Sequence, residues 1–292
     1  MIMIDSTQEA KTIYDFGVTC SPSGGCAPNG ITVKGSRDKE RLSFLWLEVT
    51  DKCNMTCLHC YAESSPNKPL TQSMRYSDWC NCLKDARNLE CESVMFIGGE
   101  PTLYPQLADL ILFAYKLGYS KISVATNGLF IGSRIKEVVK SSKATLVYSI
   151  YSTNNHYHDY ITTKRGSLSK SLINIAWALE NQVDVAANII QMDNNQENTK
   201  KTIEYLTNIG VKDIRLDRIR NVGRGSEYRR DINKAELCGA CGNERLRVSS
   251  SGHVFRCVFD RQRPLGHHSE GLRKSLEKGT KQCLTMQIHS DG

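Results

Sequence analysis

Six short segments rich in β-branched and aromatic residues recur through the middle of the chain, at residues 44–50, 93–99, 121–128, 145–152, 184–191 and 213–220. Most of the intervals between them read as helices. Leu168, Leu172, Ile175 and Leu179 form a helical stripe, and Ile203, Leu206 and Ile209 repeat it before Gly210 stops the turn. Strand, helix, strand repeated in this way constrains the chain to parallel βαβ units with right-handed crossovers. No proline falls between Pro105 and Pro264 to break the series. Periodicity alone leaves an open doubly wound sheet and an incomplete barrel both standing.

A chain of 292 residues accommodates one large α/β domain with a small appendage, and two full domains would be crowded. Residues 1–43 are rich in Gly, Ser and Pro around Cys20 and Cys26 and suit a flexible arm, although either thiol could serve as a ligand. Residues 44–220 carry the βα series, and residues 221–292 hold four more cysteines. No apolar run approaches the ~20 residues of a transmembrane helix. The N-terminus lacks a basic segment followed by a long apolar core, so a cytoplasmic location without membrane attachment is expected. Twelve cysteines under those conditions point away from disulfides and towards metal or redox chemistry. The net charge of +7 would suit nucleic acid, an anionic cofactor or an acidic peptide, but the basic residues are dispersed except over 215–230.

The cysteines are clustered. Cys53, Cys57 and Cys60 form C-x3-C-x2-C on a loop directly after the first strand segment, the end at which α/β folds place their active sites. Three thiolates supply a cluster that needs four ligands, leaving one iron open. Tyr61 follows the triplet, Gly98-Gly99-Glu100-Pro101 follows the second segment, and Thr126-Asn127-Gly128 ends the third. Together these closely resemble the radical S-adenosylmethionine (radical SAM) superfamily over most of residues 44–220. The resemblance implies a partial (β/α)6 TIM-like barrel, a [4Fe-4S] cluster on the triplet, and S-adenosylmethionine chelated at the open iron. It also implies reductive cleavage to methionine and a 5′-deoxyadenosyl radical that abstracts hydrogen from substrate. In that pattern Gly98, Gly99, Glu100 and Pro101 receive the cofactor's amino group, the glycines permitting close backbone approach. Thr126 and Asn127 contact ribose, Tyr61 holds adenine, Ser149 matches a serine of the fourth strand, and Arg165 is a bidentate partner for the cofactor carboxylate.

Downstream, Cys238, Cys241, Gly252 and Cys257 read C-x2-C-x10-G-x4-C, and residues 245–257 alternate around a Ser-Gly turn as a β-hairpin should. This resembles the opening of SPASM and Twitch extensions, which implies one auxiliary [4Fe-4S] cluster on Cys238, Cys241 and Cys257 in a small Twitch-like hairpin-plus-helix extension. A zinc ribbon shares the ligand-hairpin-ligand plan. Cys283 is the natural fourth ligand, or a thiol that returns hydrogen to a substrate radical, or inert. Cys80, Cys82 and Cys91 lie in or beside the first helix, where core packing or incidental exposure is expected of them.

The resemblance implies an oxidoreductase- or isomerase-type enzyme of natural-product biosynthesis. Its expected work is maturation of a ribosomal peptide by epimerisation, crosslinking or oxidation, with a flavodoxin- or ferredoxin-type electron donor and a separate leader-peptide recognition protein as partners. The alternative is a dehydrogenase or epimerase of a sugar, aminocyclitol or nucleoside antibiotic intermediate; a zinc-stabilised nucleic-acid-binding module stands further off. Asn188, Asp217, Arg218 and Arg220 are expected to point towards substrate from the later strand ends. His156 and His158 are placed in an exposed polar loop beside the mouth, where acid/base work would be open to them.

Overall fold

The computed structural model describes residues 20–21, 25–26, 41–192, 196–229 and 244–279. Residues 20–21 and 25–26 form a two-residue antiparallel ladder with Cys20 opposite Cys26. In the main body, strands β1 (Phe44–Glu48), β2 (Ser93–Ile97), β3 (Lys121–Thr126), β4 (Thr145–Ser149), β5 (Val185–Gln191) and β6 (Asp213–Arg218) lie side by side in chain order, all parallel. Helices α1 (Tyr76–Asn88), α2 (Leu107–Lys116), α3 (Ser133–Ser142), α5 (Ser167–Glu180) and α6 (Gln196–Asn208) make the crossovers. The six strands follow one another in chain order without the reversal of a doubly wound sheet, and the sheet does not close, so the partial barrel is the architecture found. All six expected segments form strands, but five leave the ladder two or three residues early because the chain turns there into the loops of the barrel mouth.

Side chains alternate across each strand and sort into two cores. Leu45, Leu47, Val94, Phe96, Val124, Leu146, Ala187 and Ile189 face the helices, where Cys80, Cys82 and Cys91 also pack. Trp46, Met95, Ile97, Val147 and Ala186 fill the opposite, lumenal face. An unexpected short helix, α4 (Asn155–Thr162), begins where the Asn154 side chain accepts from Tyr157 N.

After β6 the chain forms a hairpin of β7 (Arg245–Val248) and β8 (His253–Phe255), with Gly252 at a positive φ in the turn, then β9 (Gly266–His267) and α7 (Leu272–Glu277). The hairpin does not stand apart: β7 pairs in parallel with β1, extending the same sheet to nine strands with β6 and β9 at its edges.

The seam between β7 and β1 contains a buried charge cluster. Arg247 and Glu48 are each 1% exposed, and Arg247 Nη1 donates to Glu48 Oε2. The same guanidinium donates to Asp260 O (2.9 Å) and Cys257 O (3.2 Å) and lies 4.1 Å from the Phe255 ring centre. Arg261 Nη1 binds the other Glu48 oxygen at 3.0 Å. Removing one member of a buried pair leaves an uncompensated charge and costs about 3–5 kcal/mol. Arg247→Met should therefore lower the unfolding free energy by that order, read as a reduced urea midpoint.

Candidate active site

The ends of β1, β2 and β3 are bonded into one structure around Cys53. Gly99 N donates to Thr50 O at 2.7 Å and Glu100 N to Lys52 O at 2.9 Å, fastening the second-strand turn to the cysteine loop. A Cβ on Gly98 would lie 2.4 Å from Thr50 O, and one on Gly99 would lie 2.3 Å from Lys52 O. The close approach that these glycines permit is thus to the protein's own backbone. Glu100 is 1% exposed, and its carboxylate accepts from Thr102 N, Thr102 Oγ1, Thr126 Oγ1 and Asn127 N at 2.7–3.1 Å. Burial raises its pKa and these four donors oppose the rise. Glu100 and Thr126, expected to contact the cofactor, also have a structural part here. The carboxylate ties β2 to β3, and the Thr126 hydroxyl donates to it while accepting from Gly128 N (3.0 Å). Pro101 starts a buried 3₁₀ turn.

Asn127 faces the thiols. Its Nδ2 donates to Asn54 Oδ1 (2.7 Å) and lies 3.8 Å from Cys53 Sγ, while Oδ1 accepts from Leu129 N (2.9 Å). Burial, then Glu100, pushes the Cys53 thiol up to about 12, and burial with Cys60 and Cys53 raises Cys57 further. Thiols that suppress each other's ionisation become thiolates only around compensating positive charge, and an iron-sulfur cluster supplies it. Among the described residues no three His, Cys, Asp or Glu side chains gather tightly enough for a single metal ion. A four-iron cluster needs no such gathering, because each thiolate takes a different iron. The triplet fits that group.

Sequence reasoning missed what holds the cysteine loop from the other side. After β6, Arg224 donates from Nε to Cys57 O (2.8 Å), from Nη2 to Ser64 O (2.9 Å) and from its backbone N to Cys60 O (3.1 Å). Gly223, at φ +57, presses so closely that a Cβ would meet Cys60 O and Tyr61 O at 2.6 Å. The signal available was Gly223-Arg224-Gly225, one arginine between two glycines just after a strand.

The segment after β8 crosses the mouth. Val258 packs on the lumenal core, Phe259 meets the Tyr61 ring edge-on at 5.4 Å, and Arg261 lies 5.7 Å from the same ring while binding Glu48. Tyr61 thus touches the extension, and burial raises its phenol. Arg220 stacks over Phe259 at 5.5 Å and bonds Asp217 Oδ1 at 2.5 Å. Asn188 is in register with Ser149 and Arg215, on the lumenal face, and its Oδ1 is buried without a hydrogen bond. Asp217, paired with Ile190, shares that face; Arg218 is a correction, because strand alternation turns it to the opposite side, where it is exposed.

Ser149 ends β4 and hydrogen-bonds the Tyr151 side chain. Tyr151 meets His59 edge-on at 4.5 Å and stacks on His158 at 5.5 Å. His158 is a second correction: it is fully buried on α4, with Nδ1 3.0 Å from Ser167 Oγ, whereas His156 is exposed. Arg165 is exposed on the α4–α5 turn. Cys257 lies within the mouth-crossing segment, outside any disulfide; Cys238, Cys241 and Cys283 lie outside the described residues.

Two outcomes follow from this geometry. Arg224→Lys cannot make both side-chain bonds, so the reconstituted protein should retain less iron per chain than the wild type, measured after desalting. Burial lowers His158 to about 4, against Asp159, which raises it. The unfolded chain then binds the proton more readily, so stability is full above the ordinary value near 6.5. It falls as pH drops towards 4, by about 1.4 kcal/mol for each unit of pKa difference. His158→Phe should flatten the urea midpoint over that interval.

Comparison with known proteins agrees with this frame. The chain is 25% identical over 209 residues (70% of this chain, 46% of the relative) to the antilisterial bacteriocin subtilosin biosynthesis protein AlbA of Bacillus subtilis. It is 26% identical over 221 residues (74% of this chain, 66% of the relative) to GTP 3′,8-cyclase of Clostridium perfringens. The chain therefore spans only about half to two thirds of these relatives' length. The fold matches Streptococcus suis SuiB bound to S-adenosylmethionine with a TM-score of 0.68 at 15% identity, covering 85% of this chain and 68% of SuiB. The form of SuiB bound to the precursor peptide SuiA matches with a TM-score of 0.64 at 15% identity, over 77% and 62%. No described helix is long and apolar enough to cross a membrane. Residues 47–206, from the end of β1 to α6, match the model of the radical SAM superfamily, and the chain belongs to that superfamily.

Proposed function

We propose that Cys53, Cys57 and Cys60 hold a [4Fe-4S] cluster and that the chain uses S-adenosylmethionine to abstract hydrogen from a carbon of a ribosomally made peptide. The observation that carries this is the bonding of three successive strand ends and Arg224 around one thiol triplet in a chain of this family. When bound, the cluster and S-adenosylmethionine supply reductive cleavage to methionine and a 5′-deoxyadenosyl radical. The chain's own residues do the positioning. Arg224 and Gly223 fix the carbonyls of Cys57, Cys60 and Tyr61, and Asn127 directs its amide at Cys53. The segment 258–261 packs on the lumenal core and on Tyr61, where it would help to keep water from a reactive species. Asn188, Asp217 and Arg220 line the lumenal rim, where substrate polar groups would meet them.

The peptide reading draws on the printed role of AlbA in bacteriocin biosynthesis and on SuiB with its precursor peptide. Its outcome would be epimerisation, crosslinking or oxidation in natural-product biosynthesis, with an oxidoreductase or isomerase result. Cys238, Cys241 and Cys257, with Cys283 or another fourth ligand, would hold an auxiliary [4Fe-4S] cluster in an extension formed by residues 221–292. A second reading, a nucleotide or nucleoside substrate, is favoured by the similarity to GTP 3′,8-cyclase. The zinc nucleic-acid module is set aside by membership of the superfamily.

Anaerobic reconstitution should give about eight irons per chain if both sites hold four-iron clusters. With dithionite and S-adenosylmethionine the protein should form 5′-deoxyadenosine, and its absence would sink the proposal. Mass spectrometry of peptides encoded nearby, with GTP assayed in parallel, separates the two substrates. Loss of two hydrogens reports oxidation, whereas one deuterium gained from heavy water reports epimerisation. In the second case Cys283→Ala, at constant iron, tests that thiol as hydrogen donor.

A further inference from the structure

Reduction at the triplet needs an electron from outside the chain, and one stretch of surface beside the thiols carries three exposed cations without ion-pair partners among the described residues. Thr56, next to Cys57, is exposed, and its hydroxyl meets that of Thr163 at 2.5 Å. Leu58 N donates to Ile161 O at 2.9 Å. These two bonds clip the α4–α5 turn onto the outside of the cysteine loop. The turn and the first helical turn of α5 present Lys164, Arg165 and Lys170, all exposed.

Among the described residues no carboxylate pairs with any of the three. Asp159, close in sequence, is occupied by Gly166 N (2.5 Å), Ser167 Oγ (2.9 Å) and Leu168 N (3.2 Å). Those donors are neutral, so Asp159 keeps its negative charge; with Glu63, exposed on the cysteine loop, three cations stand against two carboxylates and the surface keeps an excess of one positive charge. Tyr160, 63% exposed, adds an aromatic side chain at the end of α4, and exposed aromatic and arginine side chains are enriched at protein interfaces. Exposed lysines on a helix are ordinarily just solvated; these sit on a turn whose neighbours Ile161 and Thr163 are bonded to the thiol loop at Leu58 and Thr56.

We propose that Lys164, Arg165 and Lys170 form the docking surface for an acidic one-electron carrier protein of the flavodoxin or ferredoxin kind. The inference rests on the iron-sulfur reading given under Proposed function. The carrier is oxidised by one electron and the group on the thiols is reduced by one; no bond forms or breaks at the interface. Opposite charge speeds and orients encounter, and its effect is greatest at low ionic strength.

The test uses the reconstituted full-length chain and an acidic bacterial flavodoxin. The variant is Lys164→Glu/Lys170→Glu, with Arg165 kept because its expected role as a carboxylate partner would confound the readout. Binding of oxidised flavodoxin, followed by flavin fluorescence, should weaken by about tenfold or more at low salt, and the difference should vanish at high salt. Lys164→Gln/Lys170→Gln should fall between. Formation of 5′-deoxyadenosine driven by reduced flavodoxin should drop, while that driven by dithionite stays at the wild-type rate. A Kd within about twofold of wild type at low salt overturns the assignment. So does an unchanged Kd with a raised KM for the peptide, which would give the patch to substrate. Failure of the wild type to form 5′-deoxyadenosine with dithionite instead defeats the iron-sulfur reading and leaves the binding constants to speak for themselves.

Discussion

An open parallel sheet leaves a loop that springs from its first strand anchored on one side only, and the cysteine loop of this protein is such a loop. Arg224 supplies the second anchor. Its guanidinium and backbone N–H together take three carbonyl oxygens, those of Cys57, Cys60 and Ser64. It arrives from the segment after β6, at the opposite side of the barrel. The thiols are thereby held between the first strand and the chain that leaves the last parallel one. A planar fork with fixed donor directions suits this work better than a flexible ammonium, which would pull on one oxygen and leave the others to water. The guanidinium also lowers the Cys57 thiol against the burial that raises it, so one residue contributes both shape and charge.

A second arginine connects the extension to the same site. Arg247 on β7 reaches Glu48 at the end of β1 and two carbonyls of the segment that crosses the mouth. The hairpin, the mouth and the base of the cysteine loop are then parts of one packed body. Glu100 plays the corresponding part on the other flank, where its four acceptor bonds make β2 and β3 end as a unit. Neither carboxylate has to be offered to a ligand for this to matter. Each turns several flexible loop ends into a seat with fixed dimensions, which is what a chelated cofactor requires.

The parallel strands were legible because burial on both faces demands runs of β-branched and aromatic residues, and their spacing announces the crossovers. The thiol triplet, the GGEP turn and the Asn-Gly turn were legible as local strings. Those strings also do structural work that none of them announces in isolation. Thr126 and Glu100 are bound to each other, and Gly98 and Gly99 make room for Thr50 and Lys52. The rest was hidden by distance along the chain: Arg224 acts 167 residues from Cys57, and Arg247 acts 199 residues from Glu48. No periodicity reports such a pairing. His158 reads as surface because its neighbours are polar, yet Asn154 caps a helix that turns its ring inward against Tyr151. Arg218 reads as an equal of Asp217 until the register assigns them to opposite faces.

The ladder between β1 and β7 joins Phe44 to Arg245, closing a loop of about 200 residues. During synthesis β1 can pair with β2 almost at once, but its other edge stays open until the hairpin has left the ribosome. An unpaired edge of a parallel sheet is a template for the wrong partner, and contacts this far apart in sequence form slowly. The hairpin therefore replaces the exposed edge of the five-residue β1 with that of the two-residue β9, a shorter template, and this exchange falls near the end of translation of the described body.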